Sequence, residues 1–436
     1  MFGITRIPPR YRRALSAFDT AFWDERNRTS FRSLVSTLIL AEGRCSVSHL
    51  SRGISHPDAK SREAYEHFLL NATWSSQALA QQILEYTLAQ HYIPDQLFVH
   101  IDDTFVPKDS RGNATDGVAE LHNSATGEEE WGNKLVTSCL EVGDIFVPYR
   151  LRMYIPEHLS SNFQQPFKTK LEIALEDILQ PLQLPAGVDC TVVADNAYMA
   201  ADEVSDICRL GYDLVSRIRT DRRIQPPHRF GKRSISAFAE TLEFREVTVP
   251  VRGEDNTYLA ADSPIFIPEL GGVRLIATKP ADDQDDEEDE TDDDLRYYIS
   301  TNLDLSAVEI LRRAEHRWNL ETVHQEADEK FGFKQYELET KKAIERFLQL
   351  ICVAWAVTVV ASDVDEPLWT DQGRLAVRLD RAKEAYLRET SMRVSEMADP
   401  SLPVEERRNR MDEVVQKLSW DGLSISLLST DFQLFH

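Results

Sequence analysis

Apolar residues recur at three- and four-residue spacing in residues 30–41 (SFRSLVSTLILA), 62–70 (REAYEHFLL) and 76–89 (SQALAQQILEYTLA). That period is the signature of helices with one buried face. Residues 1–95 are therefore expected to form a helical region. Between the first two runs lies GRCSVSHLSRGIS. It fits one helix of a helix-turn-helix with Ser48, His49, Ser51 and Arg52 exposed, and fits a plain helical bundle equally well.

The pattern then changes. Residues 97–102 (LFVHID), 134–142 (KLVTSCLEV), 146–154 (FVPYRLRMY), 191–194 (TVVA) and 212–219 (YDLVSRIR) read as strands. Between them, 167–179 and 199–210 read as helices. The first of these gathers Leu171, Ala174, Leu175, Ile178 and Leu179 on one side. Three strands, helix, strand, helix, strand is the order of a mixed sheet covered by helices, an α/β fold. From 236 to 300 the chain is mainly β. A long helix is predicted over 306–331, opened by Ser306 and Glu309 as a capping box. A second follows over 341–361, apolar enough to require deep burial. The remainder, 362–436, is helical and charged, with an apolar tail. The predicted organisation is a helical region 1–95, a core in two parts at 96–235 and 301–361, a β-rich insertion at 236–300, and a helical end at 362–436.

Composition alters this picture in two places. The net charge is −24, against what phosphate attracts. Eleven acidic residues sit in 282–294, however, and read as a solvated loop; the charge outside that run is −13. An acidic excess on an ordinary globular pattern fits a salt-rich cytoplasm, so a halophilic source is expected. The five cysteines are scattered without a paired spacing, which fits a reducing compartment and excludes a disulfide framework. No run of about 18 apolar residues suggests a membrane span, and the N-terminus lacks an apolar signal core. A cytoplasmic, nucleoid-associated protein is expected.

Three places put carboxylates where a metal site would want them. Asp102 and Asp103 end an apolar strand. Alternation puts Phe98, His100 and Asp102 on one face and Leu97, Val99 and Ile101 on the other, so Asp102 and Asp103 point opposite ways. Asp195 ends a second buried strand, before a helix. Glu321 lies on the long helix, within about 60° of Arg317, His324 and Asp328, with Leu320, Val323, Ala327 and Phe331 opposite. Each has a plainer reading: turn formation, helix capping, and a solvated face with Arg317 paired to Glu321. Three acids from separate elements also suit two magnesium ions, which prefer carboxylate oxygen.

Three motifs carry a family resemblance running from about Leu97 to Ala361. They are Asp102-Asp103-Thr104, VVADNAY with Asp195 and Tyr198, and the segment with Thr301, Asn302, Leu305, Ser306, Arg317, Trp318 and Glu321, followed by Gly332. The chain resembles the DDE transposases of prokaryotic insertion sequences, insertion-sequence family four. The resemblance implies an RNase H-like mixed sheet with flanking helices, interrupted by a β-rich insertion. It implies Asp102, Asp195 and Glu321 as catalytic metal ligands for two magnesium or manganese ions. It implies cleavage and strand transfer at transposon ends, with terminal inverted repeats and target DNA as partners and a homodimer on paired ends. Ala314 stands where the family often has Tyr, and Asp328 where it usually has Lys, with Lys330 or Lys334 as substitutes. DNA contacts are then expected from Arg317, Lys330, Lys334, Arg217 and Arg219; the last two read equally as surface charge. A relic that binds its own ends as a repressor, and an interaction protein using the acidic run and tail, are the competing readings.

Overall fold

The computed structural model describes residues 2–3, 6–41, 45–55, 58–90, 96–108, 115–163, 166–198, 201–227, 231–251, 254–268, 270–280, 295–317, 319–362, 374–397, 401–403, 405–406 and 409. The acidic run 282–294, Trp318 and the apolar tail lie outside them. The chain divides into two compact units, one of residues 1–86, 326–365 and 372–436, the other of 87–325 and 366–371.

The first unit is helical in its described core. Its central helix, Lys341–Ala361, packs against Pro9–Ser16, Glu25–Leu40, Arg62–Leu70 and Leu375–Met397. It is the described helix long and apolar enough to cross a membrane, yet 89 % of its most apolar stretch is buried within the fold. Side chains Asp24, Ser61 and Thr340 each accept a backbone N–H at the start of a helix, satisfying donors that have no partner inside the helix. Arg346 is buried. It donates to the carbonyls of Leu69 and Trp74 and stacks on the Trp74 ring, 4.4 Å from its centroid. The segment 45–55 contributes a seven-residue helix, Val47–Gly53, with His49 and Arg52 exposed and Ser48 and Ser51 half-buried. Gly332 has φ +61, and an added Cβ would stand 2.7 Å from Cys45 Cβ. Gly332→Ala therefore combines backbone strain of about 1–2 kcal/mol with a clash; its urea midpoint should fall measurably below that of the parent.

The second unit is built on a ten-stranded mixed sheet. Its strands are β1 (Gln96–Pro107), β2 (Ala119–Asn123), β3 (Glu128–Val142), β4 (Ile145–Tyr154), β5 (Asp189–Ala194), β6 (Asp213–Arg217), β7 (Arg245–Val251), β8 (Glu254–Ile267), β9 (Gly271–Pro280) and β10 (Arg296–Ser300). The order is β7-β8-β9-β10-β6-β5-β1-β3-β2, with β4 also on β3. β1, β5 and β6 are parallel neighbours; β3 runs antiparallel to β1, and β4 antiparallel to β3. This is mixed α/β architecture of the RNase H-like kind. The β-rich stretch is no separate layer: β7 to β10 extend the same sheet, joined through the antiparallel pair β10–β6.

Helix α1 (Ala201–Arg209) precedes β6. The predicted helix at 167–179 is α-helical only over Lys170–Glu172 and continues as a π-helical turn, Ile173–Leu179, with Gln180 N bonded to Leu175 O at 2.8 Å. The long helix predicted over 306–331 is two: α2 (Ala307–His316) and α3 (Asn319–Phe331). At the break, Arg317 N bonds back to Ala314 O and Leu320 N to Arg317 O, tighter three-residue closures in place of the four-residue ladder.

α2 lies over the sheet, with Ala307, Ile310 and Leu311 packed among Phe98, Val193, Val215, Val249, Ile276 and Tyr298. Its start is the capping box foreseen in the sequence: Ser306 Oγ accepts from Glu309 N, and Glu309 Oε2 accepts from Ser306 N at 2.8 Å. Arg274 on β9 clamps the loop before it, donating to Leu303 O, Leu305 O and Asp262. Thr301 and Asn302 tie the end of β10 to Asp213 and Leu214 on β6. Ser306→Ala should cost about 1 kcal/mol, read as a lower urea midpoint.

Candidate active site

β1 and β5 pair in parallel, with Ile101 opposite Ala194 as their last partners. Asp102 is the next residue of β1, and Asp195 follows directly on the end of β5. Parallel neighbours lie about 4.8 Å apart, so the pairing brings two carboxylates to one point on the sheet. Each Oδ1 accepts a backbone N–H, Asp103 N at 2.8 Å for Asp102 and Asn196 N at 2.7 Å for Asp195. The Asp102 carboxyl is pushed up to about 6: burial contributes most, the charges of Asp103 and Asp195 add, and Arg317 opposes them.

Arg317 donates from its guanidinium to Asp102 Oδ2 at 2.7 Å, with both side chains about one-fifth exposed. Seven residues on, His324 bonds Thr137 Oγ1 at 3.0 Å. Thr137 faces Asp102 across β1 and β3 and donates to its carbonyl at 3.2 Å. The chain is thus pinned to the Asp102 position before and after Glu321. Glu321 is exposed on α3, three residues before His324 and so on a neighbouring part of the same helix face. Leu320, Val323, Ala327 and Phe331 are buried, as the period implied.

Asp103 turns to the other side. Its carboxylate takes Lys170 at 2.7 Å and Lys134 at 3.2 Å, and Tyr198 OH reaches it at 3.5 Å. Lys134 is two positions along β3 from the residue opposite Asp103, the diagonal distance a long side chain spans.

Further back along β1, around His100, lies a buried charged group that sequence reasoning missed. Glu141 on β3 is 1 % exposed and receives His100 Nε2 at 2.7 Å, His316 Nδ1 at 2.8 Å and Arg313 at 2.9 Å. The Arg313 guanidinium also lies 3.4 Å from the centre of the Phe98 ring. Burial alone would raise the Glu141 carboxyl. The hydrogen bonds from His100 and His316 more than reverse it and hold it well below the usual carboxylate range. Burial pushes the His100 ring down against the opposing pull of Glu141, and its Nδ1 has no hydrogen-bond partner among the described residues. One available signal was Glu141, the one charged residue in the run 135–142 (LVTSCLEV).

The other expected DNA contacts are dispersed. Arg217 is exposed at the end of β6, and Arg219 stands 3.5 Å from Asp221. Lys330 and Lys334 are half-buried and belong to the helical unit; Lys334 N bonds Asp328 Oδ1 at 3.0 Å. Among the described residues, no three His, Cys, Asp or Glu side chains stand together as a metal cage. Asp102 and Asp195 nonetheless suit a hard divalent ion: their donors are carboxylate oxygens, and a cationic group already lies against Asp102 Oδ2.

The protein is thus a mixed α/β fold that brings two carboxylates together at the ends of adjacent parallel strands. The family described as DDE superfamily endonuclease matches residues 17–234, half of the chain, and the chain belongs to that family. The match includes Asp102 and Asp195 and ends before Glu321. No curated protein matches the chain.

Proposed function

We propose that the chain is a transposase of the insertion-sequence type, close to insertion-sequence family four, that cleaves and joins DNA at transposon ends. The observation that carries this reading is the juxtaposition of Asp102 and Asp195 on β1 and β5, with Arg317 on Asp102 four residues before Glu321, in a DDE superfamily endonuclease.

In this reading Asp102, Asp195 and Glu321 hold two magnesium or manganese ions. Such ions, when bound, activate water and stabilise the leaving oxygen of a phosphodiester. Water first cleaves one strand at the transposon end, releasing a 3′-hydroxyl. That hydroxyl then attacks a target phosphodiester and expels a new 3′-oxygen. Arg317 contributes a charge-assisted contact to phosphate. Lys330, Lys334, Arg217 and Arg219 add contacts along the DNA, and two copies act on paired ends in the cytoplasm, at the nucleoid. The acidic surface fits a halophilic source; full stability without salt would count against that.

Incubation with the element's own terminal inverted repeats and magnesium should produce 3′-end nicks, and chelation should stop them. Binding to the repeats without nicking under any divalent ion would mark a repressor relic. No specific DNA binding would remove the reading altogether.

A further inference from the structure

We propose that Glu141 is a positioning residue: from β3 it fixes α2 against β1 through Arg313 and His316, and thereby places Arg317 on Asp102. Its consequence for cleavage rests on the nuclease reading above; its structural claim does not.

The placement follows from helix geometry. Arg313, His316 and Arg317 are spaced three and four residues apart and share one helical face. Although α2 ends at His316, Arg317 keeps helical angles, φ −57 and ψ −33, so the face continues through it. Two of the three side chains on that face end on a single carboxylate, Glu141 Oε1, at 2.8 and 2.9 Å. The third ends on Asp102 at 2.7 Å. Asp102 in turn shares a face of β1 with His100, which takes the other Glu141 oxygen at 2.7 Å. Glu141 therefore ties the strand that carries Asp102 and the helix that delivers Arg317 to one buried point.

Charge chemistry suits this role better than apolar packing would. Leu and Val contacts tolerate a helix sliding or rolling by a fraction of an ångström. A buried carboxylate with three directed donors does not, because each lost hydrogen bond leaves a polar group unsatisfied. α2 ends one residue before Arg317, so the register at Arg317 is set from the α2 side.

The test is the energetic coupling of Arg317 with Asp102, measured without DNA or metal. Arg317→Ala, Asp102→Asn and the double change are made in the parent chain and in Glu141→Gln/Arg313→Met, and urea midpoints are compared. The background pair removes both buried charges together, which avoids stranding either one. In the parent, the double change should shift the midpoint by less than the two single shifts combined. In the Glu141→Gln/Arg313→Met background this non-additive part should vanish while the background's own midpoint stays near the parent's. An unchanged non-additive shift overturns the proposal, and so does its absence from the parent. If that background fails to fold, Glu141→Gln alone is used with the same expectation and the same overturning result. In the nicking assay, the background pair should lower kcat about tenfold or more with KM for DNA unchanged; equal loss in KM alone would overturn the positioning role. Absence of nicking from the parent chain would instead sink the nuclease reading and leave the coupling result standing.

Discussion

Alanine in place of Asp102, Asp195 or Glu321 is expected to lower magnesium-dependent nicking of the terminal repeats by about 10³-fold or more. Losing an ion that supplies several kcal/mol of transition-state stabilisation corresponds to a factor of that size. Binding to the repeats should persist in all three variants. For Asp102→Ala it should hold or tighten, because the change removes a negative charge from the surface that must accept phosphate. Asp103→Ala is the internal comparison. Its carboxylate is committed to Lys134, Lys170 and Tyr198, so its loss should reduce nicking less than that of Asp102. A gel assay of end-labelled repeat DNA reads all four. The reverse order for Asp102 and Asp103 would move the metal ligand by one residue, and full cleavage by any of the other variants would strike that residue from the set.

Trp355→Ala should destabilise the helical unit by about 3–5 kcal/mol, the cost of emptying a large core site. Trp355 is fully buried in Lys341–Ala361, and its ring stands 6.3 Å from that of Phe331. The expected loss is visible as a melting temperature lower by about 10 °C or more. The same measurement tests the status of this helix. Were it a membrane span facing lipid, the change would leave the unfolding of detergent-free protein nearly unaltered.

Much of the site could be read from local pattern. Alternation along β1 put His100 and Asp102 on one face, and in the structure both meet groups from β3 and from the chain around α2. The stripe of Leu320, Val323, Ala327 and Phe331 followed from a 3.6-residue period and is buried. The capping box at Ser306 and Glu309 needed only residues three apart. Each of these depends on near neighbours in the chain.

Other features were not legible. Arg317 bonds Asp102, 215 residues away, a partner that no local pattern names. Glu141 gave no periodic signal, since one charged residue in a strand is equally compatible with an exposed position. Its partners Arg313 and His316 lie 172 and 175 residues further on. The helix predicted over 306–331 has no glycine or proline at its break, so composition offered no reason to divide it.

The sequence by itself determined the element types, the buried faces and the three acids that deserve testing, because period and capping act over a few residues. The tertiary structure decided what those acids stand beside. It joined the β-rich stretch to the main sheet, set Asp195 next to Asp102 through a parallel register, brought Arg317 onto Asp102 and gathered three side chains on Glu141. Parallel register and buried charge partners depend on which distant segments meet. A slip of one residue would send Asp102 to the other face of the sheet, and no local pattern specifies that choice.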